Sequence, residues 1–329
     1  MLRLTVWLVL TSTLLSTFGP TLAQSAARQP PVKLILDTDI GPDYDDVGAM
    51  AVLHSLADSG RVDILATVAS NQSKYIAPVL DVLNTYFGRP DVPIGVVRGR
   101  AVKLAAWQKW DSVLVARYPH DLRRNADAED AVTLYRRLLA KQPDRSVTLC
   151  TIGFLTNMAD LLLSQPDRHS PLSGRDLVQR KVRRLVSMAG RFPKGKEFNV
   201  DRDPVSSKIV FDGWPTEIYL SGWEIGNAIR TGLPLMRNEA IHQSPVKDVF
   251  AISIPLDKND AQGRMSWDQT AVLAAILGHE PFFTLVPGRL VCAEDGSNTW
   301  NAAGRGHYYF EQKMPIAQME ALLNRLMMR

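Results

Sequence analysis

The sequence predicts a single α/β domain with a mostly parallel, Rossmann-like central sheet, helices on both faces and the active site at the carboxyl ends of the strands. Three observations lead there. Short apolar runs alternate with helically spaced segments from residue 33 to about 277, the pattern of strands joined by crossover helices. No internal repeat or low-complexity tract divides the 329 residues, and 46% hydrophobic and 22% charged residues are ordinary globular usage. Polar residues also gather just after the strand runs, where such sheets hold their ligands. Asp37 and Asp39 end the first run, Asn71 follows the second, and Arg191, Glu197 and Asn199 follow a later one.

The elements are read in order. Residues 33–39 form an apolar run ending in acid, and 46–56 have helical spacing. A buried-strand run at 62–69 precedes a helical stretch at 76–87, and 94–97 is a short strand. Residues 98–127 are irregular, an active-site loop by length. An amphipathic helix at 128–139, a strand at 147–151 and a helix at 155–163 follow. Next come a strand at 185–189, a helix at 204–211, a strand at 217–220 and a helix at 270–277.

The N-terminus reads as a targeting segment. Arg3 gives a positive start, residues 4–18 are apolar, and Thr21-Leu22-Ala23 offers a small-x-small cleavage site. The expected organisation is a signal peptide at 1–23, a linker at 24–31 and the folded domain at 32–329. The apolar run is too short and interrupted for a stable membrane span. The chain is therefore expected to be exported, periplasmic or extracellular. A net charge of +4 gives little pull on nucleic acid, and the basic run at 180–184 reads as a solvated strand entrance. Cys150 and Cys292 are too few for a disulfide framework.

The chemistry concentrates in Asp37-Thr38-Asp39-Ile40-Gly41-Pro42-Asp43-Tyr44-Asp45-Asp46, five carboxylates in ten residues between a strand and a helix. One or two acids would serve a helix N-terminus. Five repel one another unless a cation sits among them, and a hard divalent ion such as Ca2+ accepts several carboxylates, carbonyls and water. An EF-hand is excluded, because a strand comes first and Gly48 stands where the last ligand would be. The six histidines form no zinc pattern. His54 reads as structural, while His120 and His307 are candidates to reach the site. No phosphate loop, serine elbow or Cys/His pair is present.

This opening motif resembles that of the inosine-uridine type nucleoside hydrolases, in the form with two extra residues before the final Asp pair. The resemblance continues in order through Val68-Ala69-Ser70-Asn71-Gln72, Ile152-Gly153-Phe154-Leu155-Thr156-Asn157, Glu197-Phe198-Asn199 with Asp203-Pro204, and Trp267-Asp268. It implies an N-glycosidase that releases free base and ribose, with Ca2+ held by Asp39, Asp46, Asp268 and the carbonyl of Ile152. Asp39 would also act as general base. Asp45 and Asn199 would bind the ribose 2′- and 3′-hydroxyls and Glu197 the 5′-hydroxyl. Asn71 would lie beside the carboxylates, counted with the substrate-binding residues, and Asp37 would support the loop. That set is chemically coherent, since an oxocarbenium-like state is stabilised by carboxylates and a metal acidifies water.

Two departures from the family pattern matter. Some members place a His before the last metal Asp; here it is Trp267, which stacks on a purine leaving group or packs in the core. Trp107 and Trp110 are candidates for a second indole. Between Gly190 and Glu197, where the family often has an Asn for the 5′-hydroxyl, stands Arg191-Phe192-Pro193-Lys194-Gly195-Lys196. Arg191 or Lys194 replaces that contact or favours an anionic 5′ group. The expected partner is a small-molecule nucleoside, purine-leaning, with room for a homo-oligomer. The alternative is a non-catalytic exported protein that binds a ribosylated ligand in the same cleft.

Overall fold

All six predicted strands and all six predicted helices form, with ends shifted by a few residues. The computed structural model describes residues 30–328 together with Leu2; the expected signal peptide, apart from Leu2, and most of the linker lie outside the described residues. The described elements fall in one unit, Pro31–Arg329. Its strands are β1 (Val32–Thr38), β2 (Val62–Ala69), β3 (Ile94–Val96), β4 (Glu129–Asp130), β5 (Val147–Thr151), β6 (Val182–Met188), β7 (Lys194–Lys196), β8 (Glu217–Ser221), β9 (Arg230–Thr231), β10 (Arg264–Met265), β11 (Phe283–Cys292), β12 (Ser297–Asn301) and β13 (His307–Gln312).

One 11-stranded sheet runs β4-β3-β2-β1-β5-β6-β8-β13-β11-β12-β7. Neighbours are parallel from β4 to β13, and the last three strands add antiparallel pairs at one edge. The chain leaves β1 through β2 and β3 on one flank and returns with β5 on the other. The carboxyl ends of β1 and β5 thus form the switch point where an open sheet leaves a crevice.

The period-two alternation of β1 divides its side chains between two cores. Leu34 and Leu36 join the helices Asp45–Asp58, Ile76–Tyr86 and Trp267–Leu277. Ile35 joins the helices Ala131–Lys141, Thr156–Leu163 and Pro204–Gly213 on the opposite face. Each such buried aliphatic side chain contributes roughly 1.5–3 kcal/mol. A sheet held between two cores cannot shift its strand ends independently, and this rigidity fixes the loops that follow β1 and β5.

Several elements depart from the sequence reading. The stretch at 98–127, expected to be irregular, contains the helix Trp110–Arg117. The predicted helix at 128–139 begins at Ala131, because Glu129 and Asp130 pair with β3 and Asp130 caps the helix. The basic run at 180–184 closes a helix and opens β6, with Arg180 and Lys181 both paired to Asp144. Cys150 and Cys292 are both buried free thiols. Among the described residues no helix is long and apolar enough to cross a membrane.

Candidate functional site

The acidic loop is shaped by its own polar bonds. The Thr38 hydroxyl donates to Asp46 Oδ1 and accepts the Ile40 N–H at 3.0 Å, so the end of β1 is tied to the start of the helix Asp45–Asp58. That helix has no side-chain cap; Asp45 and Asp46 occupy its first turn, where the dipole favours negative charge. Gly41 turns the loop at φ +146, and a Cβ there would meet Asn71 Nδ2 at 3.0 Å. Gly153, just past β5, packs against the loop from the other side. A Cβ on it would stand 2.3 Å from the Asp39 nitrogen and 2.8 Å from Asp39 Oδ1. The Ile152-Gly153 motif is therefore what lets β5 approach Asp39.

Single carboxylate oxygens of Asp45, Asp46 and Asp268 lie within 4.8 Å of one another, all buried. Asp39 adjoins them, and the charge of Asp46 acts on it more strongly than that of any other acid. Asp39 Oδ2 and Asp46 Oδ2 are buried without a hydrogen-bond partner among the described residues. Burial first, and then the neighbouring carboxylates, hold Asp39, Asp46 and Asp268 well above the usual carboxylate range. Unpaired buried carboxylate oxygens facing like charges are what a hard cation satisfies, so a divalent metal fits this donor set. Asp37, below the cluster, accepts hydrogen bonds from Tyr135 Oη at 2.8 Å and Asn157 Nδ2 at 2.9 Å, while burial pushes it up to about 7.

A cleft of about 440 Å³ opens above the cluster. Its walls include Asp39, Asp45, Ile152, Glu197, Asn199, Trp267 and Asp268, so seven residues singled out in the sequence meet there. Asp46 lies buried beside them. Asn199 donates from Nδ2 to the Ile152 carbonyl at 3.3 Å and the Met188 carbonyl at 3.2 Å. Glu197 caps the short helix Phe198–Arg202. Its carboxylate accepts from the amides of Asn199 at 2.8 Å, Val200 at 3.2 Å and Gly190 at 3.2 Å, yet burial raises it to about 7.

Asn71 does not line the cleft. Its side chain donates to the carbonyls of Asp39 (3.0 Å) and Leu104 (2.7 Å) and accepts from the amides of Ser73 (3.1 Å) and Leu104 (3.0 Å). All its capacity goes to main chain, so it braces the acidic loop against the segment that carries Leu104 and Trp107.

Three indoles reach the cleft: Trp107, Trp223 and Trp267. Trp267 donates from Nε1 to the Trp223 carbonyl at 2.8 Å. Gly226 lets these elements meet, since a Cβ on it would stand 2.3 Å from Trp267 Cα. Trp107 is 57% exposed at the mouth, whereas Trp110 is fully buried in the core and supplies no wall. The histidines offered as acids lie elsewhere. His120 bonds the Tyr118 carbonyl at 2.9 Å outside the cleft, and buried His307 accepts the Leu290 amide at 3.1 Å. Lys194 projects from exposed β7, and Arg191 stacks 4.3 Å over Trp223 rather than entering the cleft.

Two lining cations were not singled out in the sequence. Arg202 stands 4.9 Å over the Phe198 ring. Arg264, on β10, is 6% exposed and donates to Asp45 Oδ1 from Nε at 3.0 Å and from Nη2 at 2.7 Å. Its signal was its place three residues before Trp267, opposite a surplus of acid. Trp223 had a signal too: it follows β8, at the edge where ligands gather.

The fold and the cleft together define an α/β protein that gathers buried carboxylates fit to hold a cation at the sheet's switch point, under walls of tryptophan. The chain belongs to the inosine-uridine preferring nucleoside hydrolase family, whose model matches residues 34–310. Among curated relatives, the non-specific ribonucleoside hydrolase RihC of Salmonella newport is 31% identical over 207 residues, 59% of this chain. The match spans 61% of that relative's length. A plant nucleoside hydrolase, PpNRh1, shares the fold at a TM-score of 0.69 and 18% identity, over 91% of this chain and 99% of its own. The type III effector protein XopQ, solved in complex with adenosine diphosphate ribose, aligns at 0.67 and 14% identity, over 92% and 93%.

Proposed function

We propose that this protein is an exported, calcium-dependent hydrolase that cleaves the N-glycosidic bond of ribonucleosides, purines above pyrimidines, to free base and ribose. The observation that carries the reading is the buried trio Asp45, Asp46 and Asp268 within 4.8 Å, next to orphaned oxygens of Asp39 and Asp46 in a tryptophan-walled cleft. Asp39, Asp46, Asp268 and the Ile152 carbonyl would hold the cation, which when bound offsets their repulsion and acidifies water in the cleft. Asp45 and Asn199 take the ribose 2′- and 3′-hydroxyls, with Glu197 at the 5′ end. Asp39 receives the proton of the attacking water. The surrounding carboxylates stabilise positive charge on the sugar as the bond to the base breaks, and the base leaves with the bonding pair and takes up a proton from solvent. Trp267 and Trp223 hold the base between flat apolar surfaces, which suits the larger purine. Release of free base from a ribonucleoside panel, with calcium and with chelator, tests the reading. No release under either condition would leave the cleft to a binding protein.

A second reading concerns the 5′ end. Glu197 already accepts three main-chain bonds, and Arg202 lines the cleft with its guanidinium over the Phe198 ring and no carboxylate ion pair among the described residues. A ribosyl substrate with an anionic 5′ group fits that pairing, and XopQ has been solved with such a compound. Competition of inosine 5′-monophosphate and ADP-ribose against inosine, in wild type and Arg202→Ala, decides it. Tighter binding of the anionic ligands, lost in the variant, supports this reading; equal or weaker binding rejects it.

A further inference from the structure

The two residues that lengthen the acidic motif have an evident partner. Asp43, Tyr44 and Asp45 all contact one buried side chain, Arg264. Its Nη2 bridges Asp43 Oδ1 and Asp45 Oδ1, its Nε adds a second bond to Asp45 Oδ1, and its guanidinium lies 4.8 Å over the Tyr44 ring. Tyr44 is held in turn by its hydroxyl on buried Asp260, which stands 3.7 Å from Arg264 Nη1. Trp267 flanks the same guanidinium at 5.2 Å. The arginine is fixed by main chain as well, because β10 pairs with β9 through Arg264 and Thr231.

This clasp bears on a conflict within the cluster. By position alone Asp45 is as good a cation ligand as Asp46 or Asp268, since their oxygens lie within 4.8 Å of one another. The reading above needs Asp45 for the sugar. Two N–H donors of a guanidinium that converge on one carboxylate oxygen hold it in place and offset its charge. Oδ1 of Asp45 is thus occupied, and Oδ2 has no hydrogen-bond partner among the described residues.

We infer that Arg264 is a positioning residue that withholds Asp45 from the metal and presents its free oxygen to the ligand's ribose hydroxyl. The inserted Asp43-Tyr44 pair exists in the loop to seat it. The inference rests on the proposed sugar-binding role of Asp45, but its test reads the metal directly. A residue that merely held the fold would, when lost, weaken metal and ligand together. Loss of Arg264 instead frees Asp45 to join the cation, so the two affinities should move in opposite directions.

The experiment is calcium calorimetry and inosine kinetics on the whole mature chain, comparing wild type, Arg264→Met, Arg264→Lys, Asp45→Asn and the double variant Asp45→Asn with Arg264→Met. Calcium affinity should rise roughly tenfold in Arg264→Met, because ligand charge count tunes calcium sites over decades. KM for inosine should rise about tenfold or more, by the loss of an oriented hydroxyl partner. Arg264→Lys, with charge but no paired donors, should fall between. The double variant should lose the calcium gain. A fall in calcium affinity in Arg264→Met overturns the inference. Should that variant not fold, Asp45→Asn alone decides. A calcium affinity that falls by less than about 100-fold, the most that a change outside the ligand shell costs, supports the assignment, and a larger loss overturns it. Wild type that binds calcium but releases no base would reject the hydrolase reading and leave the metal measurements standing.

Discussion

Replacing Asp46 by Asn should remove most of the stability that this protein gains from calcium. Asn is nearly isosteric, and its carbonyl can keep the bond from the Thr38 hydroxyl. Without metal, three carboxylates within 4.8 Å repel by roughly 3 kcal/mol per fully ionised pair at an effective dielectric of about 20, though proton uptake relieves part of this. The variant should therefore melt at or above wild type in chelator. At a calcium concentration 100 times Kd, wild type gains ~2.7 kcal/mol by linkage. At roughly 2 °C per kcal/mol for a large domain, that is a rise of about 5 °C. Loss of a ligand should raise Kd at least ~100-fold, since changes outside the ligand shell alone cost 10–100-fold. At the same calcium concentration the variant then gains only ~0.4 kcal/mol, about 1 °C. Differential scanning calorimetry in chelator and in calcium reads both quantities. Equal calcium-dependent shifts in the two proteins would refute Asp46 as a ligand.

In chelator, melting temperature should fall between pH 5 and pH 8. Asp37 and Glu197 are held at about 7 by burial, above their unfolded values, so their contribution is complete below about pH 4 and lost as pH rises through 7. Asp37→Asn, which can still accept from Tyr135, should flatten that slope, and an unchanged slope would contradict the assignment. Trp223→Ala and Trp267→Ala should each lower kcat/KM for inosine about 10-fold, by the ~1–3 kcal/mol of a base–aromatic stack, and affect uridine less; equal losses on both substrates would argue against stacking. The exported protein should begin at or within a few residues of Gln24, which N-terminal sequencing checks; a chain that keeps Met1 would contradict export.

Most of the sheet was legible because its central strands are short apolar runs punctuated by helical spacing. The edge was not. In β11, Pro287, Gly288 and Arg289 interrupt the apolar run, and its two ends pack into different cores, Phe283 in one and Leu290 with Cys292 in the other, so its residues follow neither pattern cleanly. The helix Trp110–Arg117 is hard to read in the sequence because it is only 8 residues long and places just two apolar side chains, Trp110 and Leu114, fully in the core. At the site, the acids were legible because five carboxylates after a buried strand demand an explanation. Asn71 was placed near the loop, but its partners are main-chain groups from two distant segments, which no local pattern reveals. Arg264 lies 219 residues from Asp45, so its ion pair is a product of tertiary folding alone. Trp110 and Trp107 looked equivalent in sequence; only packing sends one inward and leaves the other at the mouth.

Cation occupancy of the acidic cluster should enable hydrolysis of a ribonucleoside. The most direct test is the stoichiometric release of hypoxanthine and ribose from inosine, followed across a titration of buffered free calcium alongside calcium binding to the same protein. No release is expected in chelator, and release should rise in step with site occupancy. Release independent of calcium, or full occupancy with no release, would contradict it.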